Sequence, residues 1–152
     1  MRFPFSRGKL RFIDSIYLLK EIMFTIDQIK TAHEKVKTGE DFPKYIKDIK
    51  ALGVKSFTTY VSDNHTEYNA VDGQFVSSPG MYEPLPIEDE TNVEEFKEDL
   101  AIHQDGQTGY YRFCQDCARS GIEKWIVDLD DMTCIYYDKA GIEVLAEEIP
   151  GE

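Results

Sequence analysis

Positive charge is scarce in this chain: 17 Lys and Arg stand against 29 Asp and Glu, a formal net charge of −12. A DNA duplex presents about one negative charge per 1.7 Å, and its binders neutralise it with clustered Lys and Arg. That imbalance excludes nucleic acid as a partner. Cysteine is also sparse. Three residues, an odd number, do not make a disulfide framework, and a reducing cytoplasm is the compartment that suits them. Long apolar runs are missing, which excludes a membrane-spanning helix. There is no phosphate-cradling glycine loop, no nucleophile elbow and no His pair at metalloprotease spacing, so no cofactor is expected. What remains is a chain of 152 residues, 41% hydrophobic and 30% charged, enough for one globular domain rather than a disordered tail.

Residues 1–22 differ from the rest. They carry Arg2, Arg7, Lys9, Arg11 and Lys20 against only Asp14 and Glu21. Their apolar stretch is broken by Asp14, and no small-residue cleavage site follows, which argues against a signal peptide. Codons for Lys20-Glu21 can spell a purine-rich ribosome-binding element just ahead of Met23, so 1–22 is expected to be a non-native or disordered leader to a domain over 23–152.

Within that domain, residues 42–76 read as a gapless second copy of 110–144. Asp48 falls on Asp116, Gly53 on Gly121, Asp63 on Asp131, Tyr68 on Tyr136 and Gly73 on Gly141. Each copy predicts two helices followed by three strands. Thr25-Ile26-Asp27-Gln28 is a capping box, with a helix running to about Val36 and stopped by Gly39. A second helix from about Asp41 is stopped by Gly53. Strands follow at about 54–61, 66–71 and 74–77. Asn92 opens the second copy, with a helix at about 109–120 and strands at 122–129, 133–138 and 143–149. A Pro- and Gly-rich linker, 77–86, separates half one (23–78) from half two (91–150). The expected architecture is an α+β domain of internally duplicated helix-helix-strand-strand-strand units, with an antiparallel sheet covered by helices. Phe57 and Trp125 are its twin first-strand anchors.

The duplication also serves as a control on each chemically suggestive residue. Cys114 and Cys117 form a CxxC, which fits a redox dithiol, half a zinc site, or core packing. Ile46 and Ile49 occupy those positions in the other copy and favour packing. His103, Cys114, Cys117 and Cys134 would make a chemically sound zinc set, but an antiparallel helix hairpin separates His103 from Cys114 by an axial gap of about 7.5 Å. Asp63 and His65 are spaced for mutual orientation in general-base chemistry and equally for a hydrogen-bonded turn. With Tyr68, Asp131 and Tyr136 they are the candidate binding residues of a pocket between the halves. Asp128, Asp130 and Asp131 offer oxygen ligands, with Asp128 and Asp130 expected on one strand face.

The helix pair and the junctions Gly53-Val54-Lys55-Ser56-Phe57 and Gly121-Ile122-Glu123-Lys124-Trp125 resemble a family of small bacterial and prophage-borne proteins of unknown function. These are called YbcV-like or YdfO-like and are often labelled "phage envelope protein". The resemblance spans nearly all of 23–150 and implies no catalytic residues. The expected function is a soluble, non-enzymatic accessory or interaction protein whose acidic surface suits protein partners, with prophage origin implied by the resemblance. The rival reading is a small-molecule binder or enzyme with its pocket between the repeats. Oligomeric state is not fixed by the sequence.

Overall fold

The computed structural model describes residues 24–37 and 41–150. The basic leader, the start at Met23 and the Gly39 stop lie outside the described residues. Helix α1 (Ile26–His33) opens on the expected capping box: Thr25 Oγ1 accepts the Gln28 amide at 3.1 Å, and Gln28 Oε1 accepts the Thr25 amide at 2.8 Å. It ends at His33, short of Val36. Helix α2 (Phe42–Leu52) has Pro43 in its first turn, where a missing N–H costs nothing. Gly53 ends it at φ 109°, a left-handed conformation that favours glycine. Strands β1 (Val54–Tyr60), β2 (Thr66–Ala70) and β3 (Phe75–Ser78) complete the first unit. The second unit comprises α3 (Val93–Gln104), α4 (Tyr110–Arg119), β4 (Ile122–Asp128), β5 (Thr133–Asp138) and β6 (Glu143–Glu148).

The six strands form one antiparallel sheet in the order β3-β2-β1-β4-β5-β6. Each unit is a meander of sequential hairpins, and β1 against β4 joins them. Pairings on the two sides of that centre correspond at the offset carrying 42 onto 110. Phe57 faces Tyr68 as Trp125 faces Tyr136, and both meanders have a register shift at the start of their first strand. Thr58 pairs with its own counterpart Ile126 at the middle of β1–β4. The Val61 amide donates to Glu123 O at 2.9 Å, and the Leu129 amide to Lys55 O at 2.9 Å. Asn64 and Met132, at equivalent places in the two turns, both have positive φ. One pairing departs from this pattern. Val76 faces Tyr68, but Tyr136 faces Leu145 and not Val144, because a bulge inserts a residue opposite Tyr136/Tyr137.

Strand alternation sorts the side chains. Phe57, Thr59 and Val61 on one central strand, with Trp125, Val127 and Leu129 on the other, are buried beneath the helices. Phe96 of α3 packs edge-on to Tyr136 at 4.9 Å, and Phe113 of α4 lies 5.9 Å from Trp125. The opposite phase (Ser56, Thr58, Tyr60, Lys124, Ile126, Asp128) is only half-buried, and no described helix packs on it. The domain is therefore α+β, with the described helices layered on one face of the sheet and none of them on the other.

Candidate functional site

The candidate residues occur at separate places in this frame. Asp63 and His65 form the β1–β2 turn. Asp63 Oδ1 accepts the His65 amide at 3.0 Å and lies 2.6 Å from His65 Nδ1. The His65 ring in turn stacks on Tyr60, with centroids 4.5 Å apart and planes 8° from parallel. The turn is also pinned from behind. The Met81 amide donates to Asp63 O at 2.7 Å, the Leu85 amide to Ser62 O at 2.8 Å, and Tyr82 Oη to Val61 O at 2.6 Å. Between the pair, Asn64 is buried and its Nδ2 donates to Tyr110 Oη at 2.9 Å.

Asp131 belongs to the β4–β5 turn. Because β1 and β4 are antiparallel, with Tyr60 opposite Lys124 and Ser56 opposite Asp128, the two turns lie at opposite ends of the sheet, roughly 20 Å apart. Tyr68 and Tyr136 lie under the helices: Tyr68 tilts against Phe57 at 5.4 Å, and Tyr136 is buried with its hydroxyl 3.4 Å from Glu147 Oε1. The five candidates therefore do not line one cavity. Asp128 and Asp130 also differ from expectation. The strand ends at Asp128, whose Oδ1 accepts the Asp130 and Asp131 amides at 2.9 and 2.8 Å. Its carboxylate caps the turn, and Asp130 instead lies 3.9 Å from Lys50.

The His65 amide, and then its ring, hold the Asp63 carboxyl below the usual carboxylate range. A depressed folded-state value means that the interaction stabilises above the ordinary pKa of about 3.9 and fades as pH falls through the folded value. Asp63→Asn is thus expected to lower the urea midpoint at about pH 6. The gap to the native chain should close below about pH 4, and a gap unchanged down to about pH 2.5 would refute the pairing.

The cysteines are core residues. Cys114 and Cys117 are fully buried, as are their counterparts Ile46 and Ile49. Burial raises all three thiols, with Cys134 pushed up to about 12. His103 turns away from them: its Nδ1 lies 3.0 Å from Thr108 O and its ring stacks on Phe113 at 4.4 Å. Among the described residues, no group of three His, Cys, Asp or Glu has metal-ligating geometry. A buried, undissociated thiol is a poor nucleophile. The native protein should therefore react with an aromatic disulfide reagent at under a hundredth of the rate of denatured chain, in which all three thiols should titrate. Fast native labelling of one thiol would contradict this burial.

Two further features have no counterpart in the sequence reading. An open groove of about 400 Å³ lies at the start of α3, lined by Glu88, Glu90, Glu94 and Glu95 with Arg119. Beside it Arg119 and Arg112 engage the buried Asp116, and Asp99 Oδ2 is buried without a hydrogen-bond partner. Burial, with Asp116 close by, raises the Asp99 carboxyl. The second feature crosses the open sheet face. Lys124 Nζ lies 6.0 Å from the Tyr60 ring centre and 5.7 Å from that of Tyr137. With His65 stacked on Tyr60, this makes a His-Tyr-Lys-Tyr row across adjacent strands. The signal was present in the alternation of β1 and β4, where Tyr60 and Lys124 fall in the phase opposite to Phe57 and Trp125.

No helix among the described residues is long and apolar enough to cross a membrane. None of the curated proteins matches the chain. A family model does match, over residues 30–148, and its description is "Protein of unknown function (DUF1398)". That span takes in three of the four described helices whole, part of α1, and all six described strands, and the chain belongs to the DUF1398 family.

Proposed function

We propose that the protein is a non-enzymatic interaction module, built from two copies of one helix-helix-strand-strand-strand unit, that engages a protein partner through the open face of its sheet. One observation carries this reading. The sheet has helices on one face, while the other presents half-buried Tyr60, Lys124, Tyr137, Ile126 and Ile135. An aromatic and aliphatic strip within a polar rim is the composition of a protein contact surface. The matched registers of the two meanders support the duplication. The separation of Asp63 and His65 from Asp131 weighs against a shared pocket between the halves. The acidic surface favours a protein over a nucleic acid, the buried thiols suit the cytoplasm, and the likeness to prophage-borne proteins supports an accessory role.

The test is site-specific photo-crosslinking in cells. A benzophenone amino acid at Thr58, in the middle of the open face, should give discrete adducts. The same group at Glu98, exposed on α3, should give none. Equal adducts at both positions, or none at Thr58, would remove the reading. One observation favours a small-molecule site instead, the 2.6 Å contact orienting His65. It predicts that His65→Ala abolishes ligand binding without affecting Thr58 crosslinks.

A further inference from the structure

Three rungs cross the open face, and their order along the strands gives the face a polarity. The first holds His65, Tyr60, Lys124, Tyr137 and Glu143, with Tyr60 opposite Lys124, Lys124 opposite Tyr137 and Tyr137 opposite Glu143. The middle one holds Glu67, Thr58, Ile126, Ile135 and Ala146. The third holds Asn69, Ser56, Asp128, Thr133 and Glu148. On the central strands, large residues and Lys124 therefore lie at one end, small residues and Asp128 at the other, with uncharged Thr58 and Ile126 between them. The flanking strands add Glu67 on the middle rung and Glu143 and Glu148 at the β6 edge.

We infer that this face binds a second copy of the chain, sheet against sheet, about a two-fold axis lying along the Thr58–Ile126–Ile135 rung. The inference rests on the interaction reading above and names its partner. A half-turn about that axis reverses the strand direction and keeps each strand over its own equivalent. Lys124 of each copy then faces Asp128 of the other, giving two symmetric salt links. Tyr60 faces Ser56 and Tyr137 faces Thr133, so each ring stands over a small residue, as interdigitating layers require. Ile126 and Ile135 meet their own equivalents on the axis. Asp128 Oδ1 holds the Asp130 and Asp131 amides, which leaves Oδ2 for Lys124.

The arrangement is isologous, as a closed dimer demands. Packed sheets lie about 10 Å apart with strands inclined by about 30°. Contact is therefore closest at the centre, and the β6 corners carrying Glu143 and Glu148 diverge into water, where like charges are screened. Glu67 lies along the axis on β2 and approaches its own equivalent, a like-charge contact that the two Lys124–Asp128 links must offset. Six strands about 4.8 Å apart and about 17 Å long give a projected face on the order of 500 Å². That is at the small end of specific interfaces and implies a reversible dimer populated in the micromolar range.

Sedimentation velocity on the full chain, from about 5 to about 500 µM, tests this. The native chain should shift from monomer to dimer within that range. Lys124→Glu and Asp128→Lys should each weaken association at least about tenfold, roughly 1.4 kcal/mol. The double variant should restore it to within about threefold of native. Asp128→Lys also removes a turn cap, so Thr58→Arg and Ile126→Glu provide independent disruption at the axis, each judged on variants that melt like the native chain. Native protein monomeric throughout, or Ile126→Glu dimerising like native, overturns the inference. If the purified chain stays monomeric while Thr58 still crosslinks in cells, the second copy is ruled out and the interaction reading survives.

Discussion

Trp125→Ala is expected to cost about 3–5 kcal/mol. Trp125 is 8% exposed and packs among three rings, with centroids 5.9 Å from Phe113, 5.9 Å from Tyr136 and 6.3 Å from Tyr110. A buried aromatic side chain covers about 150–250 Å². At about 25 cal/mol/Å² its burial contributes about 4–6 kcal/mol, an upper bound because the unfolded chain is partly compact. Truncation also leaves a cavity where α4 meets the centre of the sheet, with little local freedom to close it. Total stabilities of such domains are about 5–15 kcal/mol, so urea denaturation should show a loss of about a fifth or more. A loss under about 1 kcal/mol would place the indole outside the core.

Gly121→Ala is expected to cost about 2–5 kcal/mol, for two separable reasons. Gly121 has φ +83°, where an L side chain is strained by about 1–2 kcal/mol. A Cβ there would also lie 2.7 Å from Glu90 O and 3.0 Å from Thr91 Cα. These are backbone atoms and cannot swing aside. Their segment is tied to the end of α4 by the Glu88 amide on Ala118 O and the Asn92 amide on Ser120 O, each at 3.0 Å. Overpacking of this kind adds about 1–3 kcal/mol. Gly141 separates the terms: its φ is +80°, but a Cβ there meets nothing within 4 Å. Gly141→Ala should therefore cost only about 1–2 kcal/mol. Equal melting-temperature losses for the two variants would mean that the linker yields and the close approach is not a constraint.

The fold was legible where one residue type has one use. Thr25 and Gln28 can satisfy each other's backbone donors only as a capping box, and Gly53 and Gly121 mark positive-φ helix stops, so element order and most boundaries were readable from the chain. The slip of β6 by one residue was not, because a bulge leaves the apolar pattern Val144-Leu145 nearly unchanged while exchanging which of the two faces Tyr136. The candidate site was less legible. Asp63 and His65 do form the turn that their spacing suggests, and the CxxC reads as core by comparison with Ile46 and Ile49. Grouping Asp63 with Asp131 required knowing how β1 and β4 meet. Their antiparallel pairing places the two turns at opposite ends of the sheet, whereas similarity in sequence reads as nearness. Lys124 and Tyr60 escaped notice for a related reason: each is an ordinary strand residue alone, and only the β1–β4 register makes them neighbours.

That same pairing has a kinetic consequence. Every other strand contact in the sheet joins neighbours along the chain, through hairpins that close short loops. The β1–β4 contact must bring together segments separated by the whole stretch from β2 to α4, and closing that distance costs chain entropy before any contact returns it. The Thr58–Ile126 junction is therefore the place in the sheet where the largest loop-closure cost falls.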